Sequence, residues 1–185
     1  MTTILQNDNW GVSLMDIALF MLRVIVGLLV AGHGSQKLFG WFGGVGLAGF
    51  TGWVDSMGFR PARFWAVLGS LAEFGGGMLL ALGLFSPLGS LGIAASMLTA
   101  IAKAHWPRIW VTENGMELPL TNVAAAAAVG IAGPGVYSLD ALLGTALPGS
   151  VAIAALALTL AGLVAGLVVS RRPVERETRS LPKAA

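Results

Sequence analysis

Residues 14–38 read LMDIALFMLRVIVGLLVAGHGSQKL. The run is long enough to cross a bilayer core, which takes roughly 20 residues in helical form. Arg23 lies inside it, Asp16 stands near its start, and a polar patch of His33, Ser35, Gln36 and Lys37 closes it. The rest of the chain repeats the theme. Of 185 residues, 56% are hydrophobic and only 11% charged, and the mean hydropathy is +0.80. An average soluble domain carries about 25% charge. A soluble domain this small buries only about 70% of its surface and could not hide so much apolar area. Long apolar runs therefore point to lipid. They argue against a soluble enzyme, a nucleic-acid-binding domain and a disordered chain.

Four more apolar runs follow, at 64–85 with Glu73 inside, 88–104, 118–132 and 150–169. The run at 118–132 is short and alanine-rich, marginal alone but able to span inside a bundle. The sequence predicts an all-α fold with five membrane helices. Residues 1–13 contain no Lys or Arg, so the positive n-region of a signal peptide is missing. The chain has no cysteine and two histidines. That removes disulfide exchange, Fe–S ligation and thiolate zinc sites, and leaves little from which to build a metal centre. No metal site is expected.

The basic residues test the topology. Lys37, Arg60 and Arg63 fall around the first connection, and Lys103 and Arg108 around the third. Arg171, Arg172, Arg176, Arg179 and Lys183 crowd the tail. The N-terminus, the 86–87 turn and the 133–149 connection have none. An odd number of spans puts every one of these clusters on one side, which the positive-inside rule assigns to the cytoplasm. The N-terminus is then expected outside and the C-terminus inside a cytoplasmic (inner) membrane. Trp41, Trp53, Trp65, Trp106 and Trp110 fall near the same boundary, where an apolar ring with one polar N–H is at home. Phe50, Trp53, Val54 and Met57 have helical spacing and predict a short amphipathic helix lying at that interface.

Two groups of residues carry candidate chemistry. Counted from the helix ends, Arg23 and Glu73 lie at roughly 14 and 18 Å depth, so they are expected to meet near the midplane. A lone charge there costs at least about 2.5–3.5 kcal/mol. Two readings stand: a proton-handling or ligand-polarising site, and a structural ion pair pinning two helices. The second group is His33, Gln36, Lys37 and His105, which are expected to surround one pocket at the cytoplasmic end. A polar pocket under apolar walls suits a quinone headgroup, and histidine titrates near neutrality. The bland alternative is ordinary helix-end polarity with snorkelling lysines.

Other motifs weigh less. Residues 44–49, GVGLAG, match a dinucleotide fingerprint but follow an apolar helix instead of a strand, so a tight turn is the expected role. Gly75, Gly76 and Gly77 suit close helix packing. Gly162 and Gly166 form a GxxxG that suits association within the chain or between copies, so a homo-oligomer stays open. Glu113 and Glu117 are expected to be solvated loop carboxylates.

Several of these landmarks, in order, resemble one family. AGHGSQKLFGWFGG at 31–44, LAEFGGG at 71–77, NGMELP at 114–119 and GPGVYSLD at 133–140 resemble DoxX-family membrane proteins. The likeness covers about residues 15–144. It implies a four-helix membrane core, and the fifth helix lies beyond it. The expected organisation is a short extracytoplasmic N-terminus (1–13), a DoxX-like membrane domain (14–144), an additional transmembrane helix (150–169) and a basic cytoplasmic tail (170–185). Some members are subunits of a thiosulfate:quinone oxidoreductase, and others associate with soluble redox enzymes. The matched polar positions are His33, Gln36, Lys37 and Glu73.

The expected function is therefore a membrane subunit of a quinone-linked oxidoreductase system, in oxidative or sulfur stress. His33, with Gln36 or Lys37, would hydrogen-bond a quinone carbonyl. Glu73, charge-balanced by Arg23, would move protons. Its partners would be membrane lipid and a soluble or membrane redox protein, with no nucleic acid. The rivals are a non-catalytic anchor for soluble redox enzymes and, more weakly, a small-molecule or lipid transporter.

Overall fold

The computed structural model describes residues 13–170, and every regular element among them is helical. Helix α1 spans Leu14–Leu38, α2 Gly46–Ser56, α3 Ala62–Leu82, α4 Ser86–Ala100, α5 Glu117–Ala132, α6 Leu139–Leu143 and α7 Gly149–Val169. A π turn over Ile101–His105 prolongs α4. Four segments are long and apolar enough to cross a membrane: α1, α3, α4 with its π turn, and α7. The fifth expected span, α5, has 16 residues. At 1.5 Å per residue it reaches roughly 24 Å, short of a typical hydrocarbon core of about 30 Å.

Helix α1 starts at Ser13, whose hydroxyl accepts from Asp16 N while the Asp16 carboxylate accepts from Ser13 N, a reciprocal capping box. It runs antiparallel to α3 along a seam of small residues. A Cβ on Gly77 would lie 2.5 Å from Ala31 N and Gly27 O. Only glycine permits so close an approach, which is the expected packing role of this stretch. Gly76 faces α4 instead, close to the Gly89 carbonyl. Helices α1, α3, α4 and α5 form the core around Leu19, Val30, Leu80, Ile93, Met97, Ala126 and Val129. Helix α7 stands outside this bundle, packed along α4.

The seam fixes a register that helix-end counting misses. Ala31 lies opposite Gly77, and Gly34 opposite Phe74. Helix α1 therefore extends well past the C-terminal end of α3. The extra turns are covered by the α5–α7 connection, where Asp16 accepts from Val136 N at 3.2 Å and Phe20 meets Tyr137 edge-on.

The two ends of the bundle differ. One end, called here the α2 end, carries Lys37, Arg60, Arg63, Lys103 and Arg108. The five basic tail residues, Arg171 to Lys183, lie outside the described residues, as does the N-terminus before Ser13. Helix α2 has the expected position and face. Phe50 and Val54 are buried with Phe59 and Ala66 against α3, and Trp53 lies exposed beside them. The glycine-rich stretch before it is a turn, with Gly40, Gly43 and Gly46 at positive φ, and it follows a helix where a dinucleotide fingerprint follows a strand.

Candidate functional site

Glu73 sits midway along α3 and is only 1% exposed. A carboxylate there needs compensation, because an unpaired buried charge is strongly unfavourable. It is compensated from two neighbouring helices. Lys37, in the last turn of α1, places Nζ 2.5 Å from both carboxylate oxygens. Ser96 of α4 donates from its hydroxyl at 2.6 Å. The lysine side chain is 27% exposed and its ammonium also lies 4.9 Å from the centre of the Phe50 ring. Lys37 has thus turned inward toward Glu73, where snorkelling would have carried it outward.

This cluster opens into a cavity of about 580 Å³ between α2, α3, α4 and α7. Small-molecule pockets commonly measure roughly 300–1,000 Å³. The walls are apolar and aromatic, with Trp53, Phe59 and Trp65 at the α2 end. The charged groups in the lining are Lys37 and Glu73, joined by Ser96, with His105 also lining the cavity and the hydroxyls of Thr99 and Thr159 elsewhere on the walls. His105 Nδ1 is 2.7 Å from the Asn114 carbonyl oxygen. A carbonyl can only accept, so Nδ1 carries a proton, and in the neutral ring Nε2 keeps its lone pair. The π turn at the end of α4 carries His105 to the cavity.

Arg23 is elsewhere, and the expected Arg23–Glu73 pair does not form. By the α1–α3 register, Glu73 is level with about residue 35 of α1, twelve positions from Arg23, or roughly 18 Å along the axis. The sequence estimate took the helices as flush at their outer ends, and they are not. Arg23 is 1% exposed. Its Nη1 donates to the Ala81 carbonyl at 3.2 Å, and its guanidinium lies 5.3 Å from the centre of the Phe20 ring. Its Nε is buried with no partner. Asp140 in α6, one of the negative groups on its side of the bundle with Asp16, accepts from Phe85 N and Ser86 N at 2.9 and 3.2 Å and so caps α4.

The expected four-residue pocket is divided as well. Lys37 and His105 line the cavity, but His33 and Gln36 do not. His33 is exposed, its Nδ1 3.1 Å from Gln36 Oε1, while Gln36 Nε2 donates to the Phe42 carbonyl at 3.3 Å. Helix rotation explains the split. Gly34 marks the side of α1 that meets α3. At about 100° per residue, Lys37 is about 60° from that direction, His33 about 100° and Gln36 about 160°. Gly162 and Gly166 also part company: a Cβ on Gly166 would press on Trp65, whereas Gly162 lines the cavity.

Ser96 was missed from sequence. The available signal was a hydroxyl in the middle of an apolar run, at a depth where polar side chains seek partners. Asp140 was seen as a landmark, without its capping role. Glu113 is exposed, as expected of a solvated carboxylate, and Glu117 is partly buried.

An all-helical bundle with several spanning helices, a buried ion pair and an amphiphilic cavity defines a multi-pass integral membrane protein. Residues 18–106 match the DoxX family model. The matched segment contains Glu73, Lys37, Ser96, His105 and all of α2, and ends before α5, α6 and α7. No curated protein and no solved structure matches the chain.

Proposed function

We propose that this chain is the quinone-binding membrane subunit of a redox system, its α2 end facing the cytoplasm. The observation that carries the reading is the buried Lys37–Glu73–Ser96 cluster at the polar corner of an otherwise apolar cavity. The donor set fits a quinone headgroup. Lys37 has three N–H donors, and Glu73 engages it without exhausting them. Ser96 and His105 add polar contacts around the same corner, and the aromatic rings offer flat walls. A bound quinone supplies the electron-accepting chemistry, taking up two electrons and two protons overall. The chain's own part is to orient the ring, exclude water and deliver protons. Lys37 donates a hydrogen bond toward a carbonyl oxygen, Glu73 holds the ammonium in place, and His105 passes protons in from the α2 end. His33 and Gln36, outside the cavity, have no part in this set. Electrons come from a soluble or membrane redox partner.

Organic extraction of the protein, gently purified from its native membrane, gives the test. Near-stoichiometric quinone per chain is expected, and its loss in Lys37→Met. Quinone at the level of the surrounding lipid would end this reading. The alternative is an anchor for soluble redox enzymes, favoured by the exposed Trp41, Phe42, Trp106 and Trp110 at the α2 end. In that case co-purifying proteins would replace the quinone.

A further inference from the structure

Helix α7 lies outside the matched family segment, yet it supplies one wall of the cavity through Leu158, Thr159, Gly162 and Leu163. Its attachment is uneven. At its C-terminal end Lys103 Nζ donates to the Ser170 carbonyl at 3.1 Å, and Gly166 packs against Trp65 and Phe59. A cation on the last carbonyls of a helix is a favourable latch. One turn earlier the fit is loose. A Cβ placed on Gly162 would have no atom within 4 Å, and the same is true of Gly69 on α3. Both glycines line the cavity. So do Leu68 and Leu158, although they are 48% and 74% exposed. A residue that faces both a cavity and the outside marks an opening. This opening lies between α3 and α7, roughly 10–17 Å from the C-terminal end of α7 from Gly162 to Leu158, within the depth of a bilayer core. Its named rim residues are all apolar or glycine, so it leads to acyl chains and not to water.

We propose that the α3–α7 seam is a lateral portal through which the ligand's long apolar tail lies out into the bilayer, with Gly69 and Gly162 setting its width. The inference rests on the quinone reading above and narrows it to a tailed, lipid-soluble quinone whose head reaches Lys37 and Glu73 from the membrane. Leucine at either glycine puts a branched side chain into the seam and leaves the polar corner intact. Neither change introduces a Cβ clash, and leucine is the better helix former.

The test compares two probes on the purified full chain in lipid nanodiscs: tetramethyl-para-benzoquinone, which has no tail, and a decyl-substituted para-benzoquinone. In Gly162→Leu, decyl-quinone affinity is expected to fall about tenfold or more, with the tail-less probe bound within about twofold of the parent chain. Gly69→Leu, on the opposite wall, is expected to do the same and stands in if the first variant does not fold. Unchanged decyl binding, or equal loss of both probes, overturns the portal. Lys37→Met separates the two ideas, because it is expected to lose both probes. If Lys37→Met binds both as the parent does, the polar corner is not the headgroup site and the quinone reading fails there. If the parent chain binds neither probe, both proposals fall.

Discussion

Among the described residues, Arg23 and Glu73 are the two most completely buried charged side chains, and they are handled in opposite ways. Glu73 has a full counter-ion, a second donor and a cavity beside it. Arg23 has one carbonyl, an aromatic face and an unpartnered Nε, and it does not line the cavity beside Glu73. Both are equally hidden, so burial does not tell them apart. The difference lies in what the surroundings leave free. Glu73 and Lys37 have room for a third molecule, whereas Arg23 is closed in by Gly83 and Ser138. Intramembrane charge is a functional hypothesis by default, and here the default separates into a chemical centre at the α2 end and a packing centre at the other.

The largest test of that contrast is Lys37→Met. It strands the Glu73 carboxylate, and breaking a buried pair from one side costs about 3–5 kcal/mol. A drop of that size in detergent unfolding is expected, together with loss of quinone. Adding Glu73→Gln is expected to restore most of the stability and none of the binding, since the stranded carboxylate is then gone with its partner. Recovery of binding in the double variant would show that the charge pair is scaffolding. Asp140→Ala comes next. It removes the acceptor of two α4 N–H groups at the opposite end, worth about 2 kcal/mol, while quinone retention stays at the parent level. Ser96→Ala is smaller, about 1.5 kcal/mol for one bond to a charged acceptor, but it is expected to weaken quinone binding as Asp140→Ala does not. Arg23→Met is the smallest. A flexible apolar side chain replaces a cation with a single hydrogen bond, so a change under about 1 kcal/mol is expected, with binding intact. Loss of quinone in Arg23→Met would join the two centres again and break the contrast.

Much of the architecture was legible because lipid imposes a plain rule: a spanning segment needs length and apolarity, and both are visible in residues 14–38, 64–85 and 150–169. The short helix α2 was legible from the spacing of Phe50, Trp53, Val54 and Met57. The site was half legible. Glu73, Lys37 and His105 stand out as polar residues in apolar surroundings, and the structure brings these three together around one cavity. Their pairing was not legible, because it depends on how far α1 slides along α3. That slide is set by Gly27, Gly34 and Gly77 meeting backbone across the seam, and hydropathy carries no trace of it. The separation of Lys37 from His33 rests on helix rotation, which a cluster read as a string of polar letters also conceals. Arg23 and Glu73 looked like partners because they were the two midplane charges, and electrical sense alone does not measure depth.

The cap on α4 has a consequence for how the chain is made. Phe85 and Ser86 await a carboxylate 55 and 54 residues further on. At 5–20 residues per second, the ribosome adds Asp140 roughly 3–11 s after Phe85. Through that interval the first turn of α4 has open N–H groups in or near lipid, and Ser13 has already closed the start of α1. The nascent chain thus carries an unfinished hairpin as a clock. Membrane quality control has a window of several seconds in which to see it, and a pause in translation before Asp140 would hold that window open.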